Sequence, residues 1–192
     1  MAGQVTPGEL TTNSVLSGLE PKEVLGYFET LANIPRGSKN EEEAANWVVA
    51  FANRLGLEAV KDERHCVLVR KPGQHGLENA APLILHGHLD MVCEKAEGVD
   101  FDFIQQPIEL LVDGDFITAN GTSLGADNGI GVSYILALLA NTEVAHPPLE
   151  AVLTAMEEMG KVGAANFDTT QLKGRRMIDF NWITDKEILA GC

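Results

Sequence analysis

The segment at positions 82–88, PLILHGH, is apolar at successive positions and turns polar only at its end. A strand of that kind is buried on both faces, so the chain must supply cover on both sides of a sheet. Helical segments lie on either side of it in sequence. Residues 21–34 open on Pro21 and put Val24, Leu25, Phe28 and Leu31 on one face at helical spacing. Ser38 with Glu41 predicts a capping-box start for a second helix over 41–57, with an acidic first turn and Gly56 as its stop. Runs at 57–63, 66–71, 149–155 and 175–183 read as further strands, and 186–192 begins one more. Residues 110–118 read as a hairpin with Asp113-Gly114 at its turn, and 125–140 as a loop leading into a helix. Strands alternating with helices define an α/β class with a mixed or mostly parallel sheet and flanking helices. Residues 1–19, rich in Thr, Ser and Gly, are expected to be a flexible tail, leaving 20–192 as the folded part.

Charge narrows the partners. Fourteen basic against twenty-eight acidic residues give a net charge of −14. Such a surface repels phosphate backbones and anionic lipid, so neither nucleic acid nor membrane is expected as a partner. The longest apolar stretch, at 130–140, is far short of the ~20 residues a membrane span needs. The N-terminus has neither the basic nor the apolar region of a signal peptide. The 3 cysteines, Cys66, Cys93 and Cys192, form no CxxC pair, which argues against a disulfide framework and an all-thiolate zinc site. The expected location is cytoplasmic.

Three stretches carry chemistry. In LHGHLDMV (85–92), His86, His88 and Asp90 are spaced by two, so a strand aims them at one face, at the strand end where α/β proteins build sites. Two imidazoles and a carboxylate there suit a zinc-type ion, with a carboxylate orienting a ligating imidazole. In TSLGADNGIG (122–131), Asp127 sits among glycines before an apolar helix. It reads either as an N-cap or as a carboxylate able to bridge two cations, with Gly125, Gly129 and Gly131 letting the backbone approach. In VLTAMEEMGKVGA (152–164), Glu157 and Glu158 end a buried strand, and adjacent side chains diverge. One can ligate a metal while the other acts as base toward water.

In this order the three stretches resemble the co-catalytic zinc metallopeptidases, and within them the cytosolic non-specific dipeptidase branch, also called aminoacyl-histidine or β-Ala-His dipeptidases. The resemblance runs from about residue 19 to 192. It implies a zinc-peptidase-like (phosphorylase/hydrolase-like) catalytic domain. It also implies a dinuclear, metal-dependent hydrolysis of small dipeptides, Xaa-His among them. By the same resemblance His88 ligates one metal, Asp90 stands beside it, and Asp127 bridges the pair. Glu157 is then the general base and Glu158 a ligand of the second metal; His86 supports the ligands. Zn(2+) is the implied ion, with Co(2+) or Mn(2+) as substitutes.

Two departures qualify the resemblance. The family's next ligand is an aspartate on a later strand, and Asn181 stands at that position, offering a neutral carbonyl oxygen without charge. Asp179, two residues earlier, would reach it only after a register shift. The family also continues into an inserted lid and a C-terminal half that supplies a further His ligand, whereas no histidine follows His146 here. The expectation is the N-terminal part of such a catalytic domain, with lid and C-terminal half absent, that works as a homodimer or with a complementing C-terminal half. The alternative is a vestigial metal-binding module that retains the peptidase fold. Other metal hydrolases fit poorly: Met91 follows Asp90 where a metallo-β-lactamase needs histidine, and an amidohydrolase barrel needs ~250 residues. GADNGIG lacks the lysine of a phosphate loop.

Overall fold

A computed structural model of the protein describes residues 14–181. Helix α1 (Lys22–Ala32) buries Val24, Leu25, Phe28 and Leu31, the stripe its spacing predicts. Helix α2 (Glu42–Arg54) buries Ala44, Ala45, Trp47, Val48, Phe51 and Ala52. It ends as expected: Gly56 adopts φ +70°, its N–H reaches the Asn53 carbonyl at 3.1 Å, and Leu57 N–H reaches Ala52 at 3.0 Å.

The start of α2 departs from expectation. Glu41 occupies the N-cap without any side-chain cap. The Ser38 hydroxyl donates instead to Asp90 Oδ2 at 2.7 Å, and Glu41 Oε1 accepts from Met156 N–H at 2.9 Å. Both side chains serve buried groups far away in sequence, which need a partner more than an exposed helix end does. The tail boundary also moves. Residues 14–19 form turns, and Leu16, only 2% exposed, packs with Leu25, Phe28, Met91 and Ile108. Residues 1–13 and the strand expected at 186–192 lie outside the described residues.

Five strands, β1 (Glu58–Lys61), β2 (Val67–Lys71), β3 (Leu83–His88), β6 (Leu149–Thr154) and β7 (Arg176–Asp179), form one sheet in the order β1-β2-β6-β3-β7. The β1/β2 and β2/β6 pairs are antiparallel, while β3 runs parallel to both β6 and β7. The sheet is therefore mixed, as the alternation implied. Central β6 is buried at every position. On one face Leu85, Ala151 and Leu153 pack under α2 and α3 (Ala126–Ala140), against Phe51, Ile135 and Leu136. On the other, Leu68, Ile84 and Val152 meet Phe167 and Leu172, which follow the short helix α4 (Val162–Asn166).

A separate hairpin joins β4 (Leu110–Asp113) to β5 (Phe116–Ala119). Asp113 pairs with Phe116, so the two loop residues are Gly114-Asp115, one position later than expected. Gly114 takes φ +58° at the first loop position, where a left-handed conformation is needed and glycine adopts it without strain.

Candidate metal centre

Three chain corners meet at the C-terminal ends of the adjacent parallel strands β3 and β6. His88 is the last residue of β3, and Glu157 and Glu158 follow β6. Asp127 enters from the first turn of α3, whose N-cap is Gly125 in the left-handed region. Asp127 is thus no N-cap; its own φ/ψ (−83°, 110°) is non-helical, and its carboxylate turns toward β3. Strand ends of this kind leave side chains and backbone free to face a common crevice.

The imidazole of His88 is fully buried, and its two nitrogens face different partners. Nε2 lies 3.0 Å from Asp127 Oδ1. Nδ1 lies 3.0 Å from the Asp90 carbonyl and 3.4 Å from Asp90 Oδ1. Ligand atoms of His88, Glu157 and Glu158 all lie within 4.8 Å of one another. One nitrogen and several carboxylate oxygens at this spacing are the donor set of a divalent first-row ion. The structure thus groups His88 with both Glu157 and Glu158, while Asp127 joins through its contact with His88 Nε2 and lies outside that three-residue group.

Asp90 is fully buried and holds the corner after β6. Its Oδ1 accepts from Glu157 N–H at 2.9 Å, and its Oδ2 accepts from Glu158 N–H at 3.2 Å and from Ser38. Burial alone raises the Asp90 carboxyl, but His88, the two N–H groups and the Ser38 hydroxyl outweigh it and hold the group below its ordinary value. Burial likewise disfavours charge on His88, yet Asp90, Glu157 and Asp127 prevail and keep the imidazole above its usual value. Glu158 is raised by partial burial and by Asp127, Glu157 and Asp90, against the pull of His88. Carboxylates crowded this way repel one another, and a cation among them relieves the repulsion.

A pH dependence follows for the metal-free chain. A depressed folded value makes the Asp90 contribution complete above the usual carboxylate range and lost as pH falls through the lowered value. The urea midpoint should therefore drop on acidification from about pH 5 to about pH 3. Asp90→Asn should flatten that limb; equal acid sensitivity of the variant would refute the assignment.

The remaining expected residues sit at the margin. Asn181 meets the site through Glu157, donating from Nδ2 to Glu157 Oε1 at 3.3 Å. Asp179 is held by His86, whose Nδ1 lies 2.9 Å from Asp179 Oδ1 and whose Nε2 lies 3.2 Å from Thr154 Oγ1. His86 therefore braces β7 against β6, and its ring nitrogens bond to Asp179 and Thr154 rather than to His88. Two groups escaped the reading of the sequence. Asn128 Oδ1 accepts from His88 N–H at 3.3 Å, and its Nδ2 donates to the Phe180 carbonyl at 2.7 Å. A Cβ at Gly87 would lie 2.6 Å from that same Oδ1, so the glycine between the histidines makes room for the amide. Arg36, fully enclosed, donates to carbonyls on two of the corners.

The fold is a peptidase-like mixed α/β fold. A tripeptidase from Staphylococcus aureus shares it, with a TM-score of 0.70 over 85% of this chain and 44% of its own, at 20% identity. More narrowly, the chain is homologous to the cytosol non-specific dipeptidases. It is 39% identical over 179 residues to the cytosol non-specific dipeptidase of Escherichia coli, a match spanning 93% of this chain. The crystal structure of aminoacylhistidine dipeptidase from Vibrio alginolyticus superposes with a TM-score of 0.83 at 40% identity over 87% of this chain. The chain spans only about a third of these relatives, 37% of the first and 34% of the second. No protein-family profile matches it. Among the described residues no helix is long and apolar enough to cross a membrane.

Proposed function

We propose that this chain carries the N-terminal part of a metal-dependent dipeptidase site, acting on small dipeptides such as aminoacyl-histidines. The observation that carries the reading is the grouping of His88, Glu157 and Glu158 at the strand ends, with Asp127 against His88 Nε2, in a homologue of a dipeptidase. His88, Asp127 and Glu158 would hold the metal, zinc by preference, with cobalt or manganese able to replace it. A divalent ion held there would supply a Lewis acid for a substrate carbonyl and a lowered pKa for water near neutral pH.

The chain's own groups supply the rest. Glu157, beside the histidine, takes the proton of the attacking water. Asp90 orients the His88 ring through Nδ1 and, by accepting the N–H groups of Glu157 and Glu158, keeps the two glutamates diverging from a fixed corner. Asn181, donating to Glu157, steadies the carboxylate that handles the proton.

The test is zinc titration of the purified chain, followed by assay of Ala-His and Gly-Gly hydrolysis. The assay is run alone and with the segment of the Escherichia coli relative that this chain does not span. Zinc binding that His88→Ala abolishes, with hydrolysis alone or on complementation, is the expected result. Zinc binding without hydrolysis in either arm would leave a metal-binding module that keeps the peptidase fold. No zinc binding would overturn the reading.

A further inference from the structure

Arg36 belongs to none of the three motifs, yet it is 2% exposed and lies among them. Its Nη1 donates to the Leu89 carbonyl at 2.9 Å and to Asp90 at 3.4 Å, and its Nη2 donates to Gly125 at 2.5 Å. These carbonyls belong to the segment directly after His88 and to the N-cap two residues before Asp127. Burying a guanidinium against neutral carbonyls costs far more than filling the same space with an aliphatic side chain. The fold nevertheless makes room for it. A Cβ at Gly125 or Gly129 would lie 2.6 Å or 2.7 Å from Nη2, so both glycines stand clear of the guanidinium.

The rest of the α1–α2 connector acts in the same direction. The Arg36 carbonyl accepts from Met91 N–H at 3.2 Å, Ser38 donates to the Asp90 carboxylate, and Glu41 accepts from Met156 N–H beside the two glutamates. Six residues of connector thus reach all three corners of the site, and of the three connector side chains Arg36 is the one that bonds to two corners at once.

The geometry points to Arg36 as a positioning residue: by clamping the carbonyls after His88 and before Asp127, it sets the separation of these two groups and with it the ion affinity of the crevice. This rests on the metal-site reading above and goes beyond it, since Arg36 itself ligates nothing. Lysine is a poor replacement, because a single ammonium cannot present the planar fork that spans two loops.

The experiment titrates the wild-type chain, R36K, R36M and a distant core control, L139A, with Zn(2+) by calorimetry, and records visible spectra with Co(2+). Leu139 is buried in the helix–sheet core away from the crevice. Zinc affinity is expected to fall about 10–100-fold in R36M, with a smaller loss in R36K and an altered Co(2+) spectrum in both. L139A should melt earlier than wild type but bind zinc and cobalt as wild type does, which separates positioning from general destabilisation. Should R36M fail to fold, R36K decides alone: wild-type affinity and spectrum in R36K overturn the inference. Wild-type zinc binding with indifferent Arg36 variants sinks the positioning role only. A wild-type chain that binds no zinc sinks the metal reading and this inference together.

Discussion

Asp90→Ala is expected to destabilise the chain by about 3–5 kcal/mol, the cost of removing one partner from a buried, hydrogen-bonded charge cluster. The carboxylate is fully buried and accepts from two main-chain N–H groups and one hydroxyl while facing the His88 ring. Alanine leaves the two N–H groups and the hydroxyl without their carboxylate partner in a half-buried corner, and each buried orphan costs about 1–3 kcal/mol. Ser38→Ala removes a single donor and should cost only about 1 kcal/mol. Urea denaturation of both variants reads the difference. A loss below about 1 kcal/mol for Asp90→Ala would mean the corner relaxes to recruit other partners.

On the proposed reading, Glu157→Gln is expected to reduce dipeptide hydrolysis about 10²–10⁴-fold while leaving zinc affinity near wild type. Glutamine keeps the shape and the hydrogen bond with Asn181 but cannot take a proton. The loss corresponds to roughly 3–5 kcal/mol of barrier. The measurement pairs turnover with calorimetric zinc titration, because Glu157 as well as Glu158 has a ligand atom within 4.8 Å of His88. Equal falls in turnover and affinity would make Glu157 a ligand and leave the base to another group.

Much of this was legible in the residues, for physical reasons that differ from place to place. Strands β2, β3 and β6 are nearly continuous apolar runs because both faces are covered, and such runs need no knowledge of partners. His88, Asp127 and the glutamate pair stood out because they follow directly on an apolar strand or sit at a glycine-rich helix entry, where strand-end sites form. The hairpin turn was placed one residue early because Asp-Gly marks a turn without saying which loop position takes the left-handed conformation. Ser38 and Glu41 read as a local cap because their spacing is local, while their partners, Asp90 and Met156, lie in other corners. Leu16 looked like tail because a lone leucine among polar residues gives no period; only α1 and the 91–110 region create its pocket. Arg36 was the least legible of all. Its acceptors lie 53 and 89 residues further along the chain, and nothing near position 36 marks a guanidinium that two loops will enclose.

Gly87 lies between the two histidines of β3, its backbone pressed close to the Asn128 amide, which is itself tied to His88 and Phe180. The familiar shorthand for this pattern, histidine–any residue–histidine, therefore treats as free a letter that the packing restricts. An alanine here would push the amide off the His88 main chain and tilt the neighbouring imidazole while leaving every chemically reactive group in the alphabet of the site unchanged.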